Sequence, residues 1–391
     1  MNPAILLSEA QQFITDNLNA DITRLILKGS PFQDISIQEL ANQIVAKQKS
    51  EKKLPTWFSA EKIYYPKKVS IEQTSSEITA KYKSEIINGS LIIDITGGFG
   101  VDCYYFSKHF KKVIHCEIDT VLSEIVSYNY QQLKQPNIVT FSGDGLAFIK
   151  NSEDNFDCIY IDPSRRNDIK GKVFLLKDCL PNVPENIDFL FSKTRHILLK
   201  NSPILDITSA INELKFVKEI HVIAVQNEVK EVLFLLEKAY QDEIQIKTSN
   251  MLKNSSQKLD FKWDEEVRSL YSEPLSYLYE PNAALLKSGA FHQISKQLNV
   301  FKLHQHSHIY TTKNLIDFPG RRFKIEEVTP YDKKKISKLL SGKKANITTR
   351  NFPKTVVQIR KETKIKDGGN LFLFFTTNIN NQFIVIFCSK E

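Results

Sequence analysis

The sequence LIIDITGGFG, residues 91–100, is an apolar run that ends in a carboxylate and then in three glycines. The apolar residues predict a buried strand of about five residues. The glycines predict a tight turn that comes close to another group, because glycine has no Cβ. The residues GVDCYYF continue from this turn and predict a helix. The stretch therefore predicts a strand–loop–helix unit whose loop can approach a ligand.

Strands and helices alternate from about residue 72 onward. Strands are predicted for LIIDI, KVIHCEI, IVTFSG, FDCIYID, HILLKN, KEIHVIAV and EIQIKTS. Helices are predicted between several of them, including EVKEVLFLLEKAY at 228–240. This alternation is typical of a parallel sheet with right-handed crossovers. We predict an α/β, doubly wound, Rossmann-like core of seven strands at residues 70–262.

The flanking segments predict three further domains. Residues 1–69 contain helical repeats of apolar residues in SEAQQFITDNL and IQELANQIVAKQK, followed by a linker or elbow at KLPTWF and YYP. Residues 263–320 form a second domain, in which LYEPNAALLKSGAF predicts a helix and KLHQHSHIYTT a strand. Residues 321–391 predict a compact α/β module that closes with the hairpin NLFLFFTT and QFIVIFCS.

Composition indicates a cytoplasmic globular protein. The chain has 391 residues, of which 41% are hydrophobic and 25% charged. No window approaches eighteen uncharged apolar residues, and the N-terminus has no basic region before an apolar run, so neither a membrane span nor a signal peptide is expected. The five cysteines are scattered and never spaced as CxxC. They predict buried thiols in a reducing compartment, without a zinc site.

The positive charge is concentrated near the C-terminus. Residues 332–366 contain twelve Lys or Arg and two acids, a local balance of +10, whereas the whole chain carries +8. This segment is either a solvated lysine-rich helix face or a surface for a phosphate backbone. The second interpretation predicts an RNA partner.

Acidic residues end four consecutive predicted strands. Asp94 ends the first, Glu117 the second, Asp144 follows the third and Asp162 the fourth, while Lys200 ends the fifth. Ligands of doubly wound sheets bind at the carboxyl ends of the strands. We therefore expect these residues to surround one nucleoside-binding cleft. Each acid also has a purely structural alternative, because Asp144 and the acids of CEID could simply cap the helices that follow.

The acids favour one of two nucleoside cofactors. Glu117 can accept the ribose hydroxyls, as an acid does at this place in dinucleotide folds, and Asp144 can accept from the adenine amine. Asp94 can hold the N–H groups of its own loop or a ligand ammonium, directly or through water. A pyrophosphate prefers a bare helix N-terminus with no carboxylate nearby, and a third glycine of G-x-G-x-x-G is replaced by Cys103. S-adenosyl-L-methionine, a cation without phosphate, is therefore favoured over a dinucleotide.

The stretches DITGGFGVD, VIHCEID, FSGDG and IYIDPSRR resemble the motifs of class I S-adenosylmethionine-dependent methyltransferases. More closely, the chain resembles a bacterial group in which such a core is followed by a ferredoxin-like and a THUMP-like C-terminal domain. LPTWFSAEKIYYPKKVSIEQTSSEITAKYK and FPKTVVQIRKETKIKDGG are also similar to that group. The resemblance implies a methyltransferase that acts on RNA, because THUMP modules bind RNA in their better-known relatives. The predicted cofactor contacts are Asp94, Thr96, Gly97, Gly98, Gly100, Glu117, Ile118, Asp144, Gly145 and Asp162.

The loop departs from the commonest methyltransferase pattern, D-x-G-x-G-x-G, because Thr96 replaces the first glycine. In this feature the loop resembles those of RNA-modifying enzymes such as cap trimethylguanosine synthase and the uridine-C5 methyltransferases, which also have a residue other than glycine at this position. QTSSEITAKY also resembles the segment before the core in the first of these. That resemblance implies that Ser75, Ser76 and Glu77 lie over the cofactor. The alternative is that Ser76 and Glu77 only begin a helix.

The acceptor loop DPSRR predicts catalytic roles for Asp162, Pro163 and Arg165. It lacks the aromatic residue of D/N-P-P-Y, which disfavours amine methylation by that mechanism, and LLKNSP lacks the nucleophilic cysteine of C5 methylation. Direct transfer to a nitrogen remains, with Asp162 orienting the acceptor and accepting a proton. Predicted substrate contacts are Arg165, Arg166 and Lys200, although the arginines could instead form salt bridges within the loop.

The sequence thus predicts an S-adenosylmethionine-dependent methyltransferase that modifies a nitrogen of a tRNA or rRNA nucleotide. The alternatives are a methyltransferase for a protein or small molecule, and an inactive RNA-binding protein with the same fold. A nicotinamide oxidoreductase is more distant. His304, His306 and His308 would share one strand face, but no acid or cysteine joins them, and no metal is predicted. No membrane partner is predicted, and the oligomeric state is not determined by the sequence.

Overall fold

A computed structural model describes residues 1–165 and 175–391. Six helices precede the first strand: α1 Ser8–Asp16, α2 Ile22–Lys28, α3 Ile37–Lys53, α4 Pro55–Ser59, α5 Lys68–Gln73 and α6 Glu77–Ser84. A short 3₁₀ turn, Pro3–Leu6, precedes α1. Helix α3 begins with a reciprocal capping box between Ser36 and Glu39, which satisfies two otherwise unpaired N–H groups. The predicted elbow at KLPTWF contains α4, which begins at Pro55.

The central part of the chain alternates strands and helices as predicted. Its elements are β1 Gly89–Asp94, α7 Val101–Phe106, β2 Phe110–Glu117, α8 Thr120–Gln132, β3 Ile138–Ser142, α9 Gly145–Asn151, β4 Phe156–Ile161, β5 Ser164–Arg165, β6 Cys179–Leu180, α10 Val183–Lys193, β7 Thr194–Asn201, α11 Ile207–Glu213, β8 Val217–Val225, β9 Glu228–Glu237, β10 Gln245–Met251 and β11 Ser256–Lys262. A 3₁₀ turn, Leu176–Asp178, precedes β6. The apolar ends of the inner strands, such as Ile92 and Ile93, are fully buried.

The strands of the large sheet follow the order β11-β10-β8-β9-β7-β4-β1-β2-β3. Strands β7, β4, β1, β2 and β3 pair in parallel. The carboxyl ends of these five strands therefore lie at one edge of the sheet, where a ligand site is expected. The predicted α/β fold class is confirmed. The sheet has nine strands in the described residues, because β9 and β11 add to the seven that were predicted.

The prediction of a helix at 228–240 is wrong, because Glu228–Glu237 is strand β9. Gln226 and Asn227, with φ of 50° and 64°, form the two-residue turn between β8 and β9. Such a turn joins antiparallel strands. Residues 232–236 are all buried. A continuous apolar run is shared by buried strands and buried helices, and its period alone does not distinguish them.

The remaining elements are β12 Leu270–Tyr271, β13 Tyr277–Pro281, α12 Ala283–Ser288, α13 Phe291–Gln297, β14 Phe301–Lys302, β15 Tyr310–Thr312, β16 Gly320–Pro330, α14 Lys333–Leu340, β17 Asn346–Arg350, α15 Val356–Thr363, β18 Phe372–Thr377 and β19 Phe383–Lys390. Their strands form a second sheet in the order β12-β14-β15-β13-β16-β19-β18-β17. The segment LYEPNAALLKSGAF is thus a strand followed by a helix, and only its second half fits the predicted helix.

The chain divides into two compact units. One contains Met1–Lys218 and Leu233–Asp242, and the other Glu219–Val232 and Glu243–Glu391. The second unit has two apolar clusters, one under α14 and α15 around Ile336 and Ile359, and one around Leu278 and Phe323. Within the described part of the chain, no helix is long and apolar enough to cross a membrane.

Candidate active site

The loop after β1 is held by two carboxylates. The Asp94 side chain, only 2% exposed, accepts hydrogen bonds from the Thr96 N–H at 2.8 Å and the Thr96 hydroxyl at 3.0 Å. Glu117, at the end of β2, accepts from the Gly98 N–H at 2.8 Å and from the Asp119 N–H at 2.7 Å. The carboxylate of each strand end therefore fixes the backbone of the glycine loop. Asp94 thus binds N–H and O–H groups of its own loop, which is one of the two roles predicted for it. Each Glu117 oxygen can accept a further hydrogen bond.

Each of the three loop positions requires glycine for a different structural reason. Gly98 has a φ of +55°, and among the described residues a Cβ there would have only the Thr96 carbonyl oxygen within 4 Å, at 3.9 Å. Gly100 has a φ of +79° and would place a Cβ against the hydroxyl of Tyr130. Gly97 would place it inside the ring of His115. Within the described part of the chain, the space above Gly98 is therefore open to an approaching group.

Asp162 follows β4, and the structure joins it to two predicted site residues. Its backbone N–H donates to the Thr96 hydroxyl oxygen at 2.7 Å. Its carboxylate accepts from the Lys200 ammonium, which β7 supplies. The Asp162 side chain is 36% exposed, whereas that of Lys200 is 11% exposed. Thr96 thus bridges Asp94 and Asp162, which gives a physical role to the residue that departs from the usual glycine.

Asp144, Gly145 and Ile118 border the same strand ends. Asp144 is exposed and caps α9, accepting from the N–H groups of Leu146 and Ala147 at 2.8 and 3.1 Å. This cap is the structural alternative predicted for it. Gly145 approaches the loop backbone so closely that a Cβ would lie 2.6 Å from the Ile95 Cα. Ile118 leaves 72% of its surface exposed directly after Glu117. It offers an apolar surface beside the Glu117 carboxylate.

Two titratable groups beneath the loop have shifted pKa values. Burial, together with the nearby charge of Asp102, raises the pKa of Asp94 to about 7, although the hydrogen bonds from Thr96 oppose the shift. Burial lowers the pKa of His115 to about 4, so this imidazole is neutral at physiological pH. Its Nε2 lies 3.3 Å from the Gly98 carbonyl oxygen. A neutral imidazole can donate that hydrogen bond in its Nε2–H form.

A group of buried polar residues lies beside the loop, and of its members only Ser75 was predicted to have a functional position. Asp102, on the first turn of α7, lies 3.2 Å from the Lys83 ammonium, and both are buried. Ser75 and Tyr160 each donate a hydrogen bond to Asp102 at 2.8 Å. Two features of the sequence could have indicated this group. Lys83 lies three residues after Ala80 on the buried face of α6, and Asp102 follows the glycine loop closely.

The segment before the core contributes structural contacts. Ser76 caps α6, as the alternative interpretation predicted. Glu77 is buried and accepts from the Thr56 N–H at 2.6 Å and the Tyr105 hydroxyl at 2.7 Å. Ser75 belongs to the group around Asp102. These described contacts join the residues to the protein, and they do not test the predicted position over a cofactor.

The acceptor loop is described only in part. Pro163 is partly buried after β4. Arg165 belongs to the two-residue strand β5, which pairs with β6. The predicted contact Arg166 lies outside the described residues. The predicted roles of Arg165 and Arg166 therefore remain predictions.

The second unit carries the basic segment. Nine of its twelve cations are exposed lysines. Ion pairs within the described residues involve Lys333 and Lys354 with Glu362, Arg350 with Glu280, and Arg360 with Asp367. The other eight, which we call the lysine surface, form no ion pair in that part of the chain: Lys334, Lys335, Lys338, Lys343, Lys344, Lys361, Lys364 and Lys366. Such a surface attracts polyanions.

The three histidines do not share a strand face, so that expectation is wrong. His304, His306 and His308 lie in the turn between β14 and β15. His304 Nε2 contacts the Asn381 side-chain oxygen at 3.0 Å, and His308 stacks on Phe291. Among the described residues, no group of three His, Cys, Asp or Glu side chains is arranged to hold a metal ion.

Two family descriptions match the C-terminal part of the chain. A ferredoxin-like domain matches residues 277–319, and a THUMP domain-like description matches residues 320–390. No curated protein matches the sequence.

Solved structures were found that are similar to all or part of the chain. A candidate methyltransferase from Porphyromonas gingivalis W83 is 28% identical with a TM-score of 0.89, over 99% of this chain and 98% of its own. A candidate methyltransferase from Streptococcus mutans, solved with S-adenosylhomocysteine, is 13% identical over 41% of this chain and 97% of its own, with a TM-score of 0.30. M. capricolum TrmK, also solved with S-adenosylhomocysteine, is 18% identical over 42% and 70%, with a TM-score of 0.33.

The sheet order and the similarity over the whole chain define the class: this protein has the class I methyltransferase fold. The core of the chain thus shares its fold with a candidate methyltransferase, and the residues after the core match a ferredoxin-like and a THUMP-like description.

Proposed function

We propose that the protein is a cytoplasmic S-adenosyl-L-methionine-dependent methyltransferase that modifies a nitrogen of an RNA nucleotide. Its proposed domains are the helical segment 1–69, the catalytic core 70–262, the ferredoxin-like segment 263–320 and the THUMP-like segment 321–391. The observation that carries the proposal is the chain of contacts from Asp94 through Thr96 to Asp162 and Lys200, which lies at the ends of β1, β4 and β7.

The residues around the glycine loop fit this cofactor. Open space above Gly98 admits a ligand at the backbone. Glu117 would accept the ribose hydroxyls with its remaining lone pairs, and the exposed Ile118 would cover the adenine ring. Asp144 would accept from the adenine amine while it caps α9. Asp94 would place negative charge near the amino-acid ammonium. The same carboxylates disfavour the pyrophosphate of a dinucleotide.

The acceptor side is suited to a proton-coupled transfer. When bound, the cofactor supplies an electrophilic methyl group on a sulfonium. The acceptor nitrogen forms the new N–C bond with its lone pair, the C–S bond breaks, and its electrons remain on sulfur. The acceptor then loses its N–H proton, for which the partly exposed Asp162 carboxylate is the candidate acceptor. Lys200 holds that carboxylate in place, and Arg165 and Arg166 would hold the nucleotide.

The lysine surface supports RNA as the substrate. Eight exposed lysines without ion-pair partners among the described residues lie on the segment that matches the THUMP domain-like description. Phosphate neutralisation by lysines releases counterions, which makes such binding favourable and dependent on salt. A protein or small-molecule substrate would not need this surface.

Calorimetry and methyl transfer test the proposal together. We expect binding of S-adenosylhomocysteine but not of NAD. We also expect transfer of labelled methyl to RNA from cells that lack the gene, with the product identified by mass spectrometry of nucleosides. Asp162→Asn should keep cofactor affinity and slow single-turnover transfer by about 10²-fold or more. Arg165→Ala, as a matched variant of the same loop, should weaken RNA binding while cofactor affinity is kept.

Specific results would contradict each part. Binding of NAD without binding of S-adenosylhomocysteine would refute the cofactor. Methylation of peptides or small molecules, with none in RNA, would refute the substrate. Transfer at the wild-type rate by Asp162→Asn would show that the acceptor loop is a structural turn and would move the acceptor site toward Lys200.

A further inference from the structure

A fully buried lysine lies next to the candidate active site. Lys83, on α6, has no exposed surface, and its ammonium lies 3.2 Å from Asp102 and 3.1 Å from the Ser75 hydroxyl oxygen. Lysine is among the residues that are least often fully buried. Removing two charges from water costs more than their attraction returns in many proteins, and apolar replacements of buried pairs are often neutral or stabilising. The pair is therefore a poor device for stability alone.

Asp102 connects this pair to the strand that ends at Asp162. It accepts hydrogen bonds from the Ser75 hydroxyl and from the Tyr160 hydroxyl, each at 2.8 Å. Tyr160 lies in β4, two residues before Asp162, and is 1% exposed. Three segments, the residues just before α6, the first turn of α7 and the end of β4, thus meet at one carboxylate.

The charge of Lys200 also acts on Asp102. Burial raises the pKa of Asp102, but the charges of Lys83 and Lys200, with hydrogen bonds from Ser75 and Tyr160, bring it below its ordinary value. Lys200 is itself the ion-pair partner of Asp162. If Lys83 were neutral, Asp102 would attract Lys200 more strongly, because a buried carboxylate without its partner is costly. The Lys200 ammonium would then be drawn from Asp162.

We propose that Lys83 and Asp102 are positioning residues of the methyl-transfer site, which keep the Lys200 ammonium on the Asp162 carboxylate. The inference rests on the proposed methyltransferase function and assigns to it two buried residues that act through Lys200 and Asp162. Neither Lys83 nor Asp102 touches the acceptor. Their opposite charges balance each other, so that Lys200 remains available to orient Asp162.

The test uses the full chain with single substitutions. Lys83→Met should slow single-turnover methyl transfer to RNA by about 10²-fold, the scale of a misplaced reacting group, while S-adenosylhomocysteine affinity changes far less. Lys83→Arg, which keeps the charge, should recover part of the rate. The matched control is Lys302→Met, since Lys302 is also fully buried but lies in the second unit, where its ammonium donates to the Gln305 carbonyl. It should transfer methyl at the wild-type rate.

A double variant separates positioning from general damage. If Lys83 acts through Asp162, Lys83→Met should add little to the defect of Asp162→Asn, because residues that act as one unit are not additive. If the rate of the double variant is instead reduced by the product of the two single reductions, the inference is overturned. If Lys83→Met does not fold, Tyr160→Phe removes one hydrogen bond to Asp102 and is tested in the same way.

The outcomes distinguish this inference from the function on which it rests. A wild-type rate in Lys83→Met, beside an active wild-type protein, would overturn the positioning role alone. Absence of methyl transfer by the wild-type protein, despite tight cofactor binding, would overturn the proposed substrate and the positioning role with it.

Discussion

Asp94 should make cofactor affinity dependent on pH. Its pKa is raised to about 7, mainly by burial. If the ionised carboxylate is needed beside the cofactor ammonium, binding must compete with protonation of Asp94. The ionised fraction at one pH unit below the pKa is about one tenth, and at one unit above it is about nine tenths. The dissociation constant for S-adenosylhomocysteine should therefore be about tenfold larger at pH 6 than at pH 8, a difference of about 1.4 kcal/mol.

Isothermal calorimetry at pH 6, 7 and 8 measures this change. Asp94→Asn is the control, and it should bind weakly with little dependence on pH. His115 does not interfere, because its pKa is lowered to about 4 and it remains neutral across this range. An affinity that is constant, or that rises toward pH 6, would refute the role of the ionised carboxylate.

Stability of the protein without cofactor should change in the opposite direction. The pKa of Asp94 is higher in the folded protein than its ordinary value of 3.8, so the folded state binds this proton more tightly than the unfolded chain. The contribution of Asp94 to stability is therefore fully present below about pH 4 and is lost as pH rises through about 7. Asp94→Asn should be at least as stable as the wild-type protein at pH 8 in thermal unfolding.

Three further predictions follow from the loop and the lysine surface. Gly97→Ala should unfold or strongly destabilise the protein, because its Cβ would enter the ring of His115. Gly98→Val should lower the free energy of unfolding by about 1–2 kcal/mol because of its left-handed φ, but it should keep the fold and abolish S-adenosylhomocysteine binding. Thermal unfolding and calorimetry measure both variants, and equal behaviour of the two would contradict the geometry. Thr96→Val removes the bridge to Asp94 and Asp162 and should weaken cofactor binding without loss of fold, so unchanged calorimetric affinity would argue against the bridge. Replacing Lys334, Lys335 and Lys338 by Gln should weaken RNA binding and reduce the slope of log affinity against log salt concentration by about 0.7–0.9 for each phosphate that is no longer neutralised. The same changes at the exposed residues Lys28, Lys111 and Lys112 should have neither effect. Filter binding at several salt concentrations tests this, and equal effects of the two sets would favour a solvated face.

Point substitutions are needed because the C-terminal module shares a sheet with the segment before it. Strand β16 pairs with β13 along five residues, from Gly320 opposite Pro281 to Lys324 opposite Tyr277. Removal of the chain after residue 319 would expose the edge of β13 and would leave Leu278, Leu303 and Ile309 without the cluster residues that follow Gly320. A truncated chain would therefore report on folding as well as on RNA binding.

Sequence patterns were sufficient for the order of most elements and for the edge of the sheet at which the candidate site residues lie. Apolar strands separated by helices predict parallel pairing, and parallel pairing brings the ends of β1, β2, β4 and β7 together whatever the side chains are. The acids at those ends could therefore be placed near one another from chain position alone. The same reasoning failed at β9, because a continuous apolar run has no period that separates a buried strand from a buried helix.

Only the tertiary structure decided which partner each polar group takes. In the sequence Thr96 is a departure from a glycine pattern, yet in the fold its hydroxyl joins Asp94 to Asp162. Lys83 and Asp102 are nineteen positions apart and carry no shared motif, yet they meet as a buried ion pair. Local patterns encode which residues are apolar and where helices begin, because those preferences act within a few positions. Contacts between distant polar groups depend on how α6, α7 and β4 are packed together, and that information resides in the folded chain as a whole.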